Sequence, residues 1–352
     1  MSYCISPVPL KIQVHLRAGK TDETYVYKTT SETRGVVKII NISCVEGLPY
    51  RQGSEIDVSN LQSLFEQMGF LVDIHPTSET SHTKEGITNA LKNFVNDKRL
   101  TRADIAMLFI MGHGNRDDNR DFFYSANREM IYYDELKSYF SNSRCKKMQG
   151  KPKILFFQVC RGDEKDYGVP HLVEHDDENQ IQFDGSHPSS PSLLVPTFTD
   201  MVIAYATCPG YCACRFPKVG SLFIYTLCEE FMNHAYKHSL CTLLDNVYRK
   251  MSRTFVDYQG HHILQAGEYT CLTFGKCYLN PGVYCDQYGI FRNIFTKETL
   301  QSSNNNSDLL LQTCRTHAKH GEKCRILVDG ADTVRSSTLR SAGKVMKKKS
   351  KS

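Results

Sequence analysis

The stretch KPKILFFQVCRGD, residues 151–163, decides the fold. Ile154, Leu155, Phe156 and Phe157 form an unbroken apolar run, with Pro152 before it and Cys160-Arg161-Gly162 after it. A run this short, without polar alternation, reads as a strand covered on both faces, as in a parallel sheet. The runs GVVKIINIS (35–43) and IAMLFIM (105–111) read as buried strands too, and FLVDI (70–74) and MVIAYA (201–206) read as further strands. Helical patterns separate them. Val58, Leu61, Leu64, Phe65 and Met68 make one apolar stripe, with Ser54 placed to cap it and Gly69 to end it. Ile87, Leu91, Phe94 and Val95 make a second stripe, and 133–140, 220–236 and 241–255 read as further helices. This alternation predicts an α/β domain with helices on both faces of its sheet.

The composition suits that fold. The chain has 352 residues, 40% of them apolar, enough for one large domain or two small ones. A net charge of +5 is too weak to indicate nucleic acid as a partner, and the closing MKKKSKS (346–352) supplies much of the excess. No apolar stretch approaches the ~18 residues of a membrane span, and no signal-peptide core opens the chain. No membrane partner is therefore expected. The 14 irregularly spaced cysteines of so large a chain read as reduced thiols in a cytoplasmic protein, and the lysine cluster leaves a nuclear location open. Cys208, Cys212 and Cys214 lack a fourth zinc ligand, so neither metal nor other cofactor is expected.

By itself Cys160 reads as an inert core thiol. Its position argues otherwise. It stands past the C-terminal end of a predicted central strand, the edge where open α/β sheets gather catalytic groups. The strand at 105–111 ends in Gly112-His113-Gly114 and so delivers His113 to the same rim. A free thiol is mostly protonated near neutral pH, and a neighbouring imidazole is its usual helper. Gly114 permits close backbone approach. Its N–H, with that of Cys160, is placed to hold a carbonyl oxygen as charge develops on it.

These residues resemble a family. KPKILFFQVCRGD and IMGHGN (110–115) are similar to the caspase signature, Q-A-C-[RQG]-G with a histidine about 50 residues upstream. YRQGSEIDVSNLQSLFEQMGF (50–70) and ATCPGYCACRFPKVGSLFIYTLCEEF (206–231) resemble the segments that carry the family's two specificity arginines. The resemblance runs from about residue 35 to 282. It implies a caspase-like three-layer sandwich of about six mostly parallel strands, with Cys160 as nucleophile, His113 as acid/base and Gly114 in the oxyanion hole. It also implies that Arg51, Gln158 and Arg215 line the first substrate pocket. Two guanidiniums and an amide suit a carboxylate, so the implied activity is an endopeptidase cutting proteins after Asp, in apoptosis or related signalling. Cys212, Ala213 and Cys214 stand where the family commonly has an aromatic residue, serine and tryptophan, which makes the substrate groove unusual. A poorly active homologue that binds and regulates an active caspase is the alternative.

The polar stretch 163–199 is a linker open to proteases. It divides a large catalytic part (35–184) from a small part (185–283), after a short N-terminal segment (1–34) and before a polar tail (284–352). In a zymogen of this kind the favoured self-cleavage site is Asp184, in IQFDGSHPSS (181–190), followed by Asp177 and Asp176. The last strand, placed at 269–279, is expected at the sheet edge. The resemblance implies that a second subunit covers it, in a homodimer or a heterodimer with a related caspase.

Overall fold

The computed structural model describes residues 10–13 and 25–295, apart from 77, 79, 168–195 and 260. Its elements in chain order begin with β1 (Gly35–Asn41), α1 (Ser54–Gln67), β2 (Phe70–Ile74), α2 (Lys84–Val95) and β3 (Ile105–Met111). A small antiparallel sheet follows, made of β4 (Gly114–Asp117), β5 (Arg120–Tyr124) and β6 (Met130–Tyr132). Then come α3 (Tyr133–Tyr139), β7 (Lys153–Gln158), β8 (Met201–Tyr205) and the two-residue strands β9 (Arg215–Phe216) and β10 (Gly220–Ser221). The remainder is α4 (Leu222–His234), α5 (Leu240–Met251), the pair β11 (Val256–Tyr258) and β12 (His261–Ile263), β13 (Glu268–Leu272), and a closing pair, β14 (Val283–Cys285) and β15 (Phe291–Asn293).

The central sheet has six strands in the order β2-β1-β3-β7-β8-β13. Five are parallel, and β13 runs antiparallel to β8 at one edge. The continuous apolar runs explain the layering. Side chains alternate across a strand, so a run apolar at every position must be covered twice. Val37 and Ile39 of β1, Met107 and Phe109 of β3, and Ile154 and Phe156 of β7 face α1, α4 and α5. Val36, Ile40, Ala106, Leu108, Leu155 and Phe157 face α2 and α3. Stacked rings of Phe109 and Phe156, 4.3 Å apart, join the central strands on the first of these faces. Among the described residues, no helix is long and apolar enough to cross a membrane.

Two local expectations need correction. Ser54 does not cap α1. Gly53 takes the cap position at φ 90°, and Ser54 is the first helical residue, its Oγ accepting from Asn41 Nδ2 at 3.1 Å. The edge strand ends at Leu272 rather than running to 279. Thr273 turns the chain off the sheet at φ 45°, and Cys277 and Leu279 bury themselves in the helical layer instead. The small sheet of β4, β5 and β6 is a further finding, since strands of three to five residues are too short for a periodic pattern to show.

Candidate active site

The parallel register lines up the site. Asn41 pairs with Met111, and Met111 with Gln158, so β1, β3 and β7 end side by side. Two residues beyond Met111 comes His113, and two beyond Gln158 comes Cys160. The loop after β1 carries Arg51.

Cys160 is half-buried, and its Sγ accepts the N–H of Ala213 at 3.3 Å. His113 Nε2 lies 2.7 Å from the carbonyl oxygen of Pro49. A carbonyl only accepts, so Nε2 carries the proton and a neutral ring presents a bare Nδ1. Burial pushes His113 below the usual histidine range, against the Pro49 bond, which opposes the shift, and the positive charges of Arg51 and Arg215 add to the lowering. Gly114 pairs with Phe123, while the Tyr124 N–H donates to the His113 carbonyl at 2.9 Å. That makes Gly114–Phe123 a non-hydrogen-bonded pair and turns the Gly114 N–H away from β5. A side chain at Gly114 would collide with Phe122 O and with a methyl of Val159.

Arg51, read from the sequence as a loop residue, is only 1% exposed. One guanidinium nitrogen donates to Asn41 Oδ1 at 2.8 Å, and Nε and Nη2 have no partner among the described residues. Burial and the nearby Arg215 lower its pKa to about 10. Gln158 is buried, and its Oε1 has no partner among the described residues. Arg215 donates from Nε to the carbonyl of Gln52, the neighbour of Arg51, at 3.1 Å. Its guanidinium interacts electrostatically with Cys160 and Asp57. The fold therefore brings Arg51, Arg215, His113 and Cys160 into one neighbourhood. Asp184, Asp177 and Asp176 lie outside the described residues.

A caspase-domain family model matches residues 34–276. The chain belongs to the caspase family. Similar curated proteins include cell death protein 3 of Caenorhabditis remanei, 30% identical over 74% of this caspase, and caspase-2 of Gallus gallus, 28% identical over 73%. This caspase spans 53% and 61% of their lengths. Caspase-1 from Spodoptera frugiperda, known as a crystal structure, aligns at TM-score 0.61 and 23% identity, covering 76% of this caspase and 97% of that chain. This likeness matches the sandwich fold.

Three supporting residues of this caspase escaped the sequence reading. Asp57 of α1 is fully buried and accepts both the N–H (2.9 Å) and the hydroxyl (2.5 Å) of Ser221. Ser221 is the register partner of Arg215, so Asp57 ties the Arg215 strand to α1. Burial raises Asp57 to about 6, with the Ser221 bonds and both arginines opposing the rise. Arg161 binds Asp121 (2.7 Å), Glu268 (2.5 Å) and Thr207 O (3.1 Å) and sits 4.3 Å over the Tyr205 ring. It anchors the Cys160 loop to β5 and to the edge strand β13. Gln265 accepts the Cys214 N–H and donates to Ala206 O, each at 2.7 Å. A charge directly after the thiol was a visible hint of Arg161. The polar patterning around Asp57 and Gln265 offered none, since their partners are more than 50 residues away.

Proposed function

We propose that this chain is a cysteine endopeptidase that cuts proteins after aspartate, in cell death or related signalling proteolysis. The observation that carries this reading is the buried Arg51, with two nitrogens that have no partner among the described residues, beside Arg215 and within electrostatic reach of Cys160. A desolvated cation with unused donors favours an incoming carboxylate, which supplies both charge and acceptors. A half-turn of the Gln158 amide adds a further donor. A neutral residue at the same place would leave these groups unpaired, which gives the pocket its selectivity.

The chemistry follows from the same geometry. His113 takes the Cys160 proton on Nδ1 while Pro49 holds Nε2 and fixes the ring. The thiolate attacks the carbonyl carbon of the bond after Asp. The N–H groups of Gly114 and Cys160 hold the oxygen as it becomes negative. The imidazolium then gives its proton to the departing amine, the peptide bond breaks, and a thioester remains for water to release. The lowered pKa of His113 suits this cycle, because the ring returns to neutral readily at pH 7.

The linker cut at Asp184, with Asp177 and Asp176 as lesser sites, and a dimer through β13 belong to the same proposal, as does a cytoplasmic location. An unpaired edge strand is a pairing hazard that a second copy or a related subunit would remove. The deciding experiment is labelling by a peptidyl-Asp electrophile. Cys160 is expected to be modified in the parent, and labelling is expected to vanish in Cys160→Ala and to weaken in Arg51→Ala. Equal labelling by a peptidyl-Asn electrophile would overturn the pocket. Labelling without turnover of Asp peptides would favour a regulatory homologue.

A further inference from the structure

Ala213, whose N–H meets the Cys160 sulfur at 3.3 Å, is flanked on both sides by cysteine. Covalent geometry then limits how far away Cys212 can be. Its Cα is two bonds from the Ala213 nitrogen, about 2.4 Å, so it lies within about 6 Å of Cys160 Sγ. A cysteine side chain spans roughly 2.8 Å from Cα to sulfur, so a rotamer change and a small loop shift bring the sulfurs to the ~2.05 Å of a disulfide. Backbone bonds hold the two loops together. Arg161 N–H donates to Tyr211 O at 3.0 Å, Gly210 N–H to Arg161 O at 2.7 Å, and Cys212 N–H to Glu164 O at 2.9 Å.

The two flanking thiols differ. Cys214 packs against the helical core, its N–H is fixed by Gln265, and burial pushes its thiol up to about 12. All three thiols are half-buried, so a small oxidant reaches Cys160 and Cys212, and what separates Cys214 is its packing and its fixed backbone. The Cys212 thiol is raised by burial and then by the neighbouring Cys160, an interaction that Cys214 shares, so the peptide geometry rather than the charge favours Cys212.

We propose that Cys212 is the resolving thiol of a peroxide switch on Cys160. The idea rests on the reading of Cys160 as a reactive nucleophile. Hydrogen peroxide, or an organic hydroperoxide, is the oxidant. The Cys160 thiolate attacks one peroxide oxygen, the O–O bond breaks, hydroxide leaves, and the sulfur, oxidised by two electrons, becomes a sulfenic acid. Cys212 gives up its proton and attacks that sulfur. The S–S bond forms, the S–O bond breaks, and the departing hydroxide takes the proton as water. The disulfide blocks the nucleophile but spares it the irreversible sulfinic state. A dithiol reductant returns two electrons and two protons and restores both thiols.

The test treats the full chain with hydrogen peroxide, traps sulfenic acid with dimedone, and maps cysteine peptides by mass spectrometry. The parent is expected to give a Cys160–Cys212 cross-linked peptide, little dimedone on Cys160, and recovery of most activity with dithiothreitol. Each variant is compared with its own unoxidised sample. Cys212→Ser is expected to gain several-fold more dimedone at Cys160 and to lose recovery under prolonged peroxide, while Cys214→Ser follows the parent. Cys271→Ser, which removes the thiol 3.8 Å from that of Cys241, controls for oxidation elsewhere and is expected to follow the parent too. Equal dimedone labelling with and without Cys212, or a cross-link from Cys160 to Cys214 or Cys208, overturns the proposal. If Cys212→Ser does not fold, the parent's peptide map decides. The map needs no peptide cleavage: a cross-link in a chain that never cuts Asp peptides would sink the proposed function and leave the switch standing, and cleavage without the cross-link would do the reverse.

Discussion

Arg34 and Arg51 flank the same strand, β1, one before its first residue and one beyond its last. Both are buried, at 0% and 1% exposure, and each has two guanidinium nitrogens without a partner among the described residues. Burial lowers both to about 10. Their surroundings separate them. Arg34 donates from Nη2 to the carbonyls of Asn280 (3.1 Å) and Val283, and so staples the start of β14 to the start of β1. Arg51 donates to a side chain, Asn41, beside a second arginine and the Cys160 thiol. Unpaired nitrogens alone therefore do not define a pocket. A reactive group and a second cation in the same neighbourhood do.

The sharpest way to break this comparison is to make the same change twice. Arg51→Met is expected to lower kcat/KM for an Asp peptide by roughly 30- to 5,000-fold, the equivalent of about 2–5 kcal/mol for a desolvated charge pair. Arg34→Met is expected to leave kcat/KM within about twofold and to act on the melting temperature. Steady-state kinetics and thermal unfolding of the two variants check both halves. Equal kinetic losses would erase the distinction.

Asp57 offers the next test, because it supports the Arg51 end alone. Asp57→Ala leaves the Ser221 N–H and hydroxyl without their acceptor and is expected to destabilise the chain by about 2–3 kcal/mol, measured by urea unfolding. It should also raise KM, since Ser221 pairs with Arg215. Asp57→Asn keeps an acceptor and is expected to fall between.

The acid group also gives a signed pH effect. Asp57 is raised to about 6 from 3.8, so the folded chain holds that proton more tightly than the unfolded one. Its contribution to stability is full below about pH 4 and is lost as pH rises through about 6. Asp57→Asn should remove this slope from a series of unfolding curves taken between pH 4 and 7.

The smallest expected effect concerns His113. Its pKa lies below 6.5, so its contribution to stability is present above that value and is lost as pH falls through the lowered one. The acid limb of kcat/KM should sit below pH 6.5. An NMR titration of the ring, assigned through His113→Asn, should move upward in Arg51→Met as a repelling charge is removed. An unmoved titration would place Arg51 outside the electrostatic reach of the site.

The sequence by itself determined the sandwich and its reactive rim. The apolar runs at 105–111 and 154–157, and the mostly apolar run at 35–42, leave neither face suited to water, so helices must cover both. Parallel strands end at the same edge of a sheet, which puts His113 and Cys160, each just past its strand, at one rim. Tertiary structure decided how the rim is armed. Arg51 looks like a solvated loop residue in YRQG, and only the tertiary structure buries it, bonds it to Asn41 and sets Arg215 in its electrostatic reach. Asp57 looks like one more polar residue on an amphipathic helix until Ser221 arrives from far along the chain to meet it. The sheet edge likewise stops at Leu272 because Thr273 turns and Cys277 finds the core, a choice made by burial rather than by local β-propensity. Periodicity reports which face of an element is dry. It carries no information about which distant polar groups will share the dry interior, and that sharing sets the charge of the site.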